Sequence, residues 1–163
     1  MFDLTDVKLV AFDFDDTLYI HDKRNDTDKT DLEYYAGLMT KETDYYDPSR
    51  FSDIMGQLMF ELNSRHIDMA VCSHTSFAGA AHTKVEAAEA HYGYPLINLC
   101  SGLPDYKHVI LAAYALANGL KHEEILLIDD QYINLRNAEA SGFKAANPME
   151  VVLHYTNKHK EDM

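Results

Sequence analysis

Short, nearly continuous apolar runs alternate along this chain with longer segments whose apolar positions recur at helical spacing. Val7 to Phe12 (VKLVAF), Ile67 to Cys72 (IDMAVC), Leu96 to Cys100 and Ile125 to Ile128 (ILLI) read as strands covered on both faces. Phe143 to Ala146 adds a weaker fifth. Asp47 as N-cap and Pro48 at the first helical position open a helix with apolar residues at 51, 54, 55, 58, 59 and 62. An Ala-rich helix from about Phe77 to Tyr92 stops at Gly93, and another from about Lys107 carries Val109, Ile110, Ala113, Leu116 and Ala117 on one face before Asn118-Gly119. A short helix from about Asn134 to Ser141 ends at Gly142, and Pro148 opens a terminal helix. Strands alternating with helices in this way predict one α/β domain over residues 1–163, a doubly wound parallel, Rossmann-like sheet with helices on both faces.

Residues 19 to 48 break the alternation. The segment is polar and holds five of the eleven tyrosines, including Tyr34-Tyr35 and Tyr45-Tyr46. A connection this long in a compact domain predicts a small flap or lid. Packing of its tyrosines onto the core is favoured over stacking on a ligand.

Composition narrows the partners. The 163 residues hold 27 Asp plus Glu against 14 Lys plus Arg, a formal net charge of −13. That is the wrong sign for binding nucleic acid or an anionic membrane surface. No apolar run approaches the ~20 residues of a membrane span, and Met-Phe-Asp-Leu-Thr-Asp lacks the basic and apolar regions of a leader. Cys72 and Cys100 have neither CxxC nor Cys/His spacing, so no disulfide framework or structural zinc site is expected. These features together predict a cytoplasmic protein.

In open α/β sheets ligands bind beyond the carboxyl ends of the strands. The residues there form a coherent set: Asp13, Asp15, Asp16 and Thr17 after the first strand, and Ser73, His74 and Thr75 after the second. Asp105 and Lys107 follow the third, and Asp129 and Asp130 the fourth. Each alone has an ordinary reading, since Asp favours turns, Ser caps helices and most Lys are solvated. Adjacent carboxylates at the end of a buried strand are more telling, because they repel unless a cation neutralises them, and an all-oxygen site suits magnesium. A calcium loop starting at Asp13 fails, with Leu18 where Gly is needed and Arg24 where Glu is needed. The nine histidines show no metal spacing, and His74 alone lies near the site.

VAFDFDDTL resembles the DxDx[TV] signature of the haloacid dehalogenase-like (HAD) superfamily. AVCSHT, Lys107 and ILLIDDQYIN resemble its other three motifs in their usual order, over about residues 7 to 147. The resemblance implies a Mg²⁺-dependent phosphatase. Asp13 would be the nucleophile that forms an aspartyl-phosphate, and Asp15 the general acid and then base. Lys107 would stabilise both nucleophile and phosphoryl group, with Ser73, Thr17 and His74 as the substrate-side residues. Magnesium would take the Asp13 carboxylate, the Asp15 carbonyl and the Asp130 carboxylate, with Asp129 direct or through water. Asn134 stands where many members carry a second Asp. Asp15 favours phosphate esters over carbon–halogen bonds, since a halide needs no proton.

The implied substrate is a small phosphorylated metabolite or nucleotide, with a phosphoprotein as a further class and a homo-oligomer compatible with the chain. Two other readings remain. A phosphoacceptor domain of receiver type uses similar groups but places its reactive Asp after the third strand, where this chain has Cys100-Ser101-Gly102. A catalytically silent relative that binds a partner is opposed by the intact set Asp13, Asp15, Ser73, Lys107 and Asp130.

Overall fold

A computed structural model describes residues 1–21, 46–75, 79–103 and 106–161. Five strands, β1 (Leu9–Phe12), β2 (Asp68–Val71), β3 (Ile97–Asn98), β4 (Ile125–Ile128) and β5 (Lys144–Ala146), form one sheet in the order β3-β2-β1-β4-β5. Every pairing is parallel. The helices are α1 (Asp53–Ser64), α2 (Ala80–Tyr92), α3 (Lys107–Asn118), α4 (Tyr132–Ala140) and α5 (Pro148–Glu161). The predicted doubly wound α/β sheet is therefore the observed one. Its order differs from the 2-1-3-4-5 order of receiver-type sheets, which removes the phosphoacceptor alternative at the level of topology.

Alternation along the strands builds two cores. Val10, Phe12, Met69, Val71, Leu126 and Ile128 pack with α1, with Val85 and Ala88 of α2 and with Val151 and Tyr155 of α5. Leu9, Ala11, Ala70, Cys72, Ile125 and Leu127 pack on the other face with α3 and α4. Successive side chains of a strand point to opposite faces, so β1 and β4, buried along their whole length, must be apolar at every position.

Three sequence expectations are corrected. The helix expected from Asp47 is a 3-10 turn at Pro48–Arg50, interrupted at extended Phe51; α1 begins after Ser52, whose hydroxyl accepts from the Met55 amide. Phe51 keeps the expected burial, but as an aromatic plug against Phe14, Tyr19 and Tyr92. On α3 the buried positions are Lys107, Leu111 and Ala115, whereas Val109 and Leu116 of the expected inner face are exposed. The helix carries apolar residues nearly all round, so periodicity alone could not choose its inner face. Finally, β3 is only two residues long, because as an edge strand it pairs with β2 alone. Gly119 closes α3 as expected, in a left-handed conformation (φ 66°) that glycine adopts without strain.

The predicted lid falls mostly outside the described residues, as do Tyr34, Tyr35, Tyr45 and Asp105. Tyr46 packs edge-on against Phe14 and Tyr19, 4.8 and 4.9 Å between ring centres, which is core packing.

Candidate active site

β1 and β4 are in register, with Phe12 opposite Ile128, so the residues that follow emerge side by side at the carboxyl edge of the sheet. The backbone pairing runs past the strands. Asp13 donates its amide to the Ile128 carbonyl at 2.8 Å, Cys72 to Phe12 at 2.7 Å and Ser101 to Ser73 at 2.9 Å. The chain then turns sharply. The Phe14 carbonyl accepts from the Leu18 and Tyr19 amides, and Asp16 takes a left-handed conformation (φ 56°) that Asp tolerates better than most residues. Phe14 anchors the turn among the aromatic rings beneath it.

Lys107 enters this edge from the first turn of α3. Its ammonium lies 2.8 Å from Asp13 Oδ1 and 2.5 Å from Asp129 Oδ2, with all three residues buried. Burial pushes the Asp13 carboxyl up to about 7; Lys107 opposes this and Asp129 adds to it. Burial disfavours the Lys107 charge, but its two carboxylate partners outweigh that and raise its pKa, so it stays protonated. Asp129 also accepts from Asn134 Nδ2 at 3.0 Å on Oδ2 and from the Gln131 amide at 2.8 Å on Oδ1. Its oxygens are thus largely committed to holding Lys107 and the start of α4. Asn134 orients Asp129 without adding charge.

Carboxylate oxygens of Asp13, Asp129 and Asp130 lie within 4.8 Å of one another. Asp130 Oδ1 is buried and has no hydrogen-bond partner, and burial, with Asp129 and Asp16 nearby, raises the pKa of the Asp130 carboxyl. An unsatisfied carboxylate oxygen beside two other acids is the environment a hard divalent cation relieves. Asp13, Asp129 and Asp130 gather around one ammonium, Lys107, an excess of negative charge that a divalent ion would offset. The residues fit magnesium.

Asp15 occupies the other half of the site. His21 Nε2 lies 2.7 Å from its Oδ1 and Lys84 Nζ 2.5 Å from its Oδ2. Burial acts to raise this carboxyl, but the His21 and Lys84 contacts outweigh it and hold the pKa below the usual range. Ser73 is buried and accepts from Lys84 at 3.0 Å. His74 Nε2 pairs with the Gly102 carbonyl at 3.2 Å, tying the loop after β2 to the loop after β3. Thr17 is buried in the turn, and its Oγ1 has no hydrogen-bond partner.

The structure thus brings Asp13, Lys107, Asp129 and Asp130 into one cluster and ties Asp15 to Ser73 through Lys84. It uses His74 as a loop brace and leaves Thr17 unpaired within the turn. Lys84 and His21 were not among the sequence-stated candidates. A signal existed for Lys84: it precedes buried Val85 and stands four residues before buried Ala88, on the inward side of α2. Nothing in the sequence marked His21, which falls at the entry to the expected lid.

No protein-family model matches this chain, and no curated protein matches it in sequence. Solved structures do match in fold. A haloacid dehalogenase-like family hydrolase, SP0104 from Streptococcus pneumoniae, is 15% identical with a TM-score of 0.57, over 93% of this chain and 100% of that one. The 3-deoxy-D-manno-octulosonate 8-phosphate phosphatase of Moraxella catarrhalis, solved with magnesium, phosphate and its sugar acid, is 19% identical with a TM-score of 0.50. That match covers 80% of this chain and 62% of the phosphatase. The hypothetical protein XCC2798 from Xanthomonas campestris is 19% identical with a TM-score of 0.52, over 86% of this chain and 64% of that one. The chain therefore spans less than two thirds of the last two. Among the described residues no helix is long and apolar enough to cross a membrane.

Proposed function

We propose that this chain, whose fold matches that of a haloacid dehalogenase-like family hydrolase, is a Mg²⁺-dependent phosphatase that hydrolyses a phosphate monoester through an aspartyl-phosphate on Asp13. One observation carries this reading. A buried carboxylate, Asp13, is paired with a buried lysine beside Asp129 and Asp130 at the carboxyl edge of the sheet.

In this reading an Asp13 oxygen attacks phosphorus as the ester P–O bond breaks, and Asp15 gives its proton to the departing alkoxide. Asp15 then takes a proton from the water that attacks the aspartyl-phosphate, which releases phosphate and restores both side chains. Lys107 keeps its charge beside Asp13 and offsets the repulsion between the nucleophile and the phosphoryl oxygens. Ser73 donates its hydroxyl to a phosphoryl oxygen, and Thr17 and His74 complete the substrate side of the site. The Asp13 and Asp130 carboxylates and the Asp15 carbonyl would hold magnesium, with Asp129 as a further oxygen or an anchor for Lys107. Bound there, the cation supplies positive charge that lets two anions approach.

The substrate best suited to a chain of net charge −13 is a small phosphorylated metabolite or free nucleotide. The matched phosphatase of Moraxella catarrhalis, whose structure holds magnesium and phosphate, supports the metal and the reaction class. The test is Mg²⁺-dependent hydrolysis of nitrophenyl phosphate, absent in Asp13→Asn and steeply reduced in Asp15→Asn. Full turnover by Asp13→Asn would overturn the mechanism. A panel of sugar phosphates, nucleotides, phosphorylated cofactors and phosphopeptides then identifies the substrate.

A further inference from the structure

Lys84 is 5% exposed, and its ammonium has three acceptors for its three N–H bonds: Asp15 Oδ2 at 2.5 Å, Ser73 Oγ at 3.0 Å and the His74 carbonyl at 3.0 Å. It also stands 5.5 Å from the centre of the Phe14 ring, which closes its apolar side. Burying an ammonium is costly unless every proton is satisfied, and here each one is. With its donors used up, Lys84 has none spare for a substrate. What it controls is the geometry of its partners.

Two consequences follow from those contacts. Ser73 Oγ accepts from Lys84 at 3.0 Å and donates to the His74 carbonyl at 3.4 Å, which Lys84 also holds, so the ammonium fixes where the Ser73 hydroxyl sits. Asp15 is held at both oxygens, but by unlike groups. An ammonium can only donate, so Oδ2 is committed as its acceptor; an imidazole nitrogen can donate or accept, so Oδ1, beside His21, is the oxygen left to exchange a proton in the reaction.

We propose that Lys84 is a positioning residue for the leaving-group step: it holds the Asp15 carboxyl by Oδ2, so that Oδ1 is the oxygen that gives and regains the proton, and it fixes the Ser73 side chain beside it. The inference rests on the phosphatase reading above. Within it, the ester P–O bond breaks as the Asp13–phosphorus bond forms, and the Oδ1 proton goes to the leaving oxygen. The water consumed in the second step returns a proton to Oδ1.

A misplaced general acid matters most when the leaving group is a poor one, whereas a merely destabilised protein loses rate on every substrate alike. The experiment therefore measures kcat and KM of wild type, Lys84→Met and Lys84→Arg with phenethyl phosphate, an alkyl ester, and with nitrophenyl phosphate, which departs without a proton. The expected result for Lys84→Met is a kcat loss at least about tenfold larger on the alkyl ester than on the aryl ester. KM should change little on either, and Lys84→Arg should recover part of the difference. In the Asp15→Asn background, Lys84→Met should widen the gap between the two substrates no further. Equal losses on both esters, a change confined to KM, or a leaving-group effect that persists undiminished in Asp15→Asn would overturn the assignment. Should Lys84→Met not fold, Lys84→Arg decides by the same ratio of kcat losses. Wild type that hydrolyses neither ester with Mg²⁺ would instead overturn the phosphatase reading, so the two failures are distinguishable.

Discussion

Lys107 Nζ lies 2.5 Å from Asp129 Oδ2, with the lysine side chain 8% exposed and the aspartate fully buried. A pair this dry costs much of its attraction in desolvation, but removing one member strands the other. Lys107→Met is therefore expected to destabilise the metal-free protein by about 3–5 kcal/mol and to abolish turnover. Denaturant melts read the first effect and nitrophenyl phosphate hydrolysis the second. An unchanged melting midpoint would mean that Asp13 and Asp129 do not depend on this lysine.

If the three crowded acids hold a divalent cation, the ion should stabilise the fold. Mg²⁺ at a hundred times its Kd is expected to stabilise the protein by about 2.7 kcal/mol, visible as a rise in Tm. Asp130→Asn removes the carboxylate whose buried oxygen has no partner and should lose most of that rise. A full Mg²⁺ shift in Asp130→Asn would place the ion elsewhere.

The inward face of α3 can be checked by two truncations of the same chemistry. Leu111 is fully buried against β1 and β4, whereas Leu116 is 86% exposed. Leu111→Ala should cost about 2–5 kcal/mol, and Leu116→Ala no more than about 0.5 kcal/mol. Comparable costs would show that the exposed stripe is covered by something in solution.

Both cysteines are free thiols, Cys72 buried and Cys100 partly buried. Burial pushes the Cys72 thiol up to about 12 and raises Cys100 as well. At pH 8 they should react with a disulfide reagent only slowly in the native protein and rapidly after unfolding. The same shift has a stability consequence. Above about pH 9 the unfolded state releases the Cys72 proton while the folded state keeps it, so this contribution to stability is full below pH 9 and is lost as pH rises to about 12. Melting temperature across that window, compared with Cys72→Ala, isolates the effect.

Much of this molecule was legible in its sequence because its signals are local. A strand covered on both faces must be apolar at every position, so ILLI at β4 could be read to the residue, and the left-handed turn after α3 requires a residue such as Gly119. The rule that ligands gather beyond the carboxyl ends of parallel strands brought Asp13, Asp15, Ser73, Lys107, Asp129 and Asp130 forward together with Asp16, Thr17, His74, Thr75 and Asp105, and only the family resemblance assigned roles among them. Tertiary structure decided the pairings, because hydrogen-bond partners depend on distances between elements that no spacing encodes. It assigned Lys107 to both Asp13 and Asp129, spent Asp129 on Asn134 and Gln131, and left an Asp130 oxygen without a partner. It also chose Leu111 over Leu116 as the inward residue of a helix apolar on most sides. Most of all, it carried Lys84, a lysine indistinguishable in sequence from a solvated one, into a buried position where Asp15, Ser73 and the His74 carbonyl use all three of its protons.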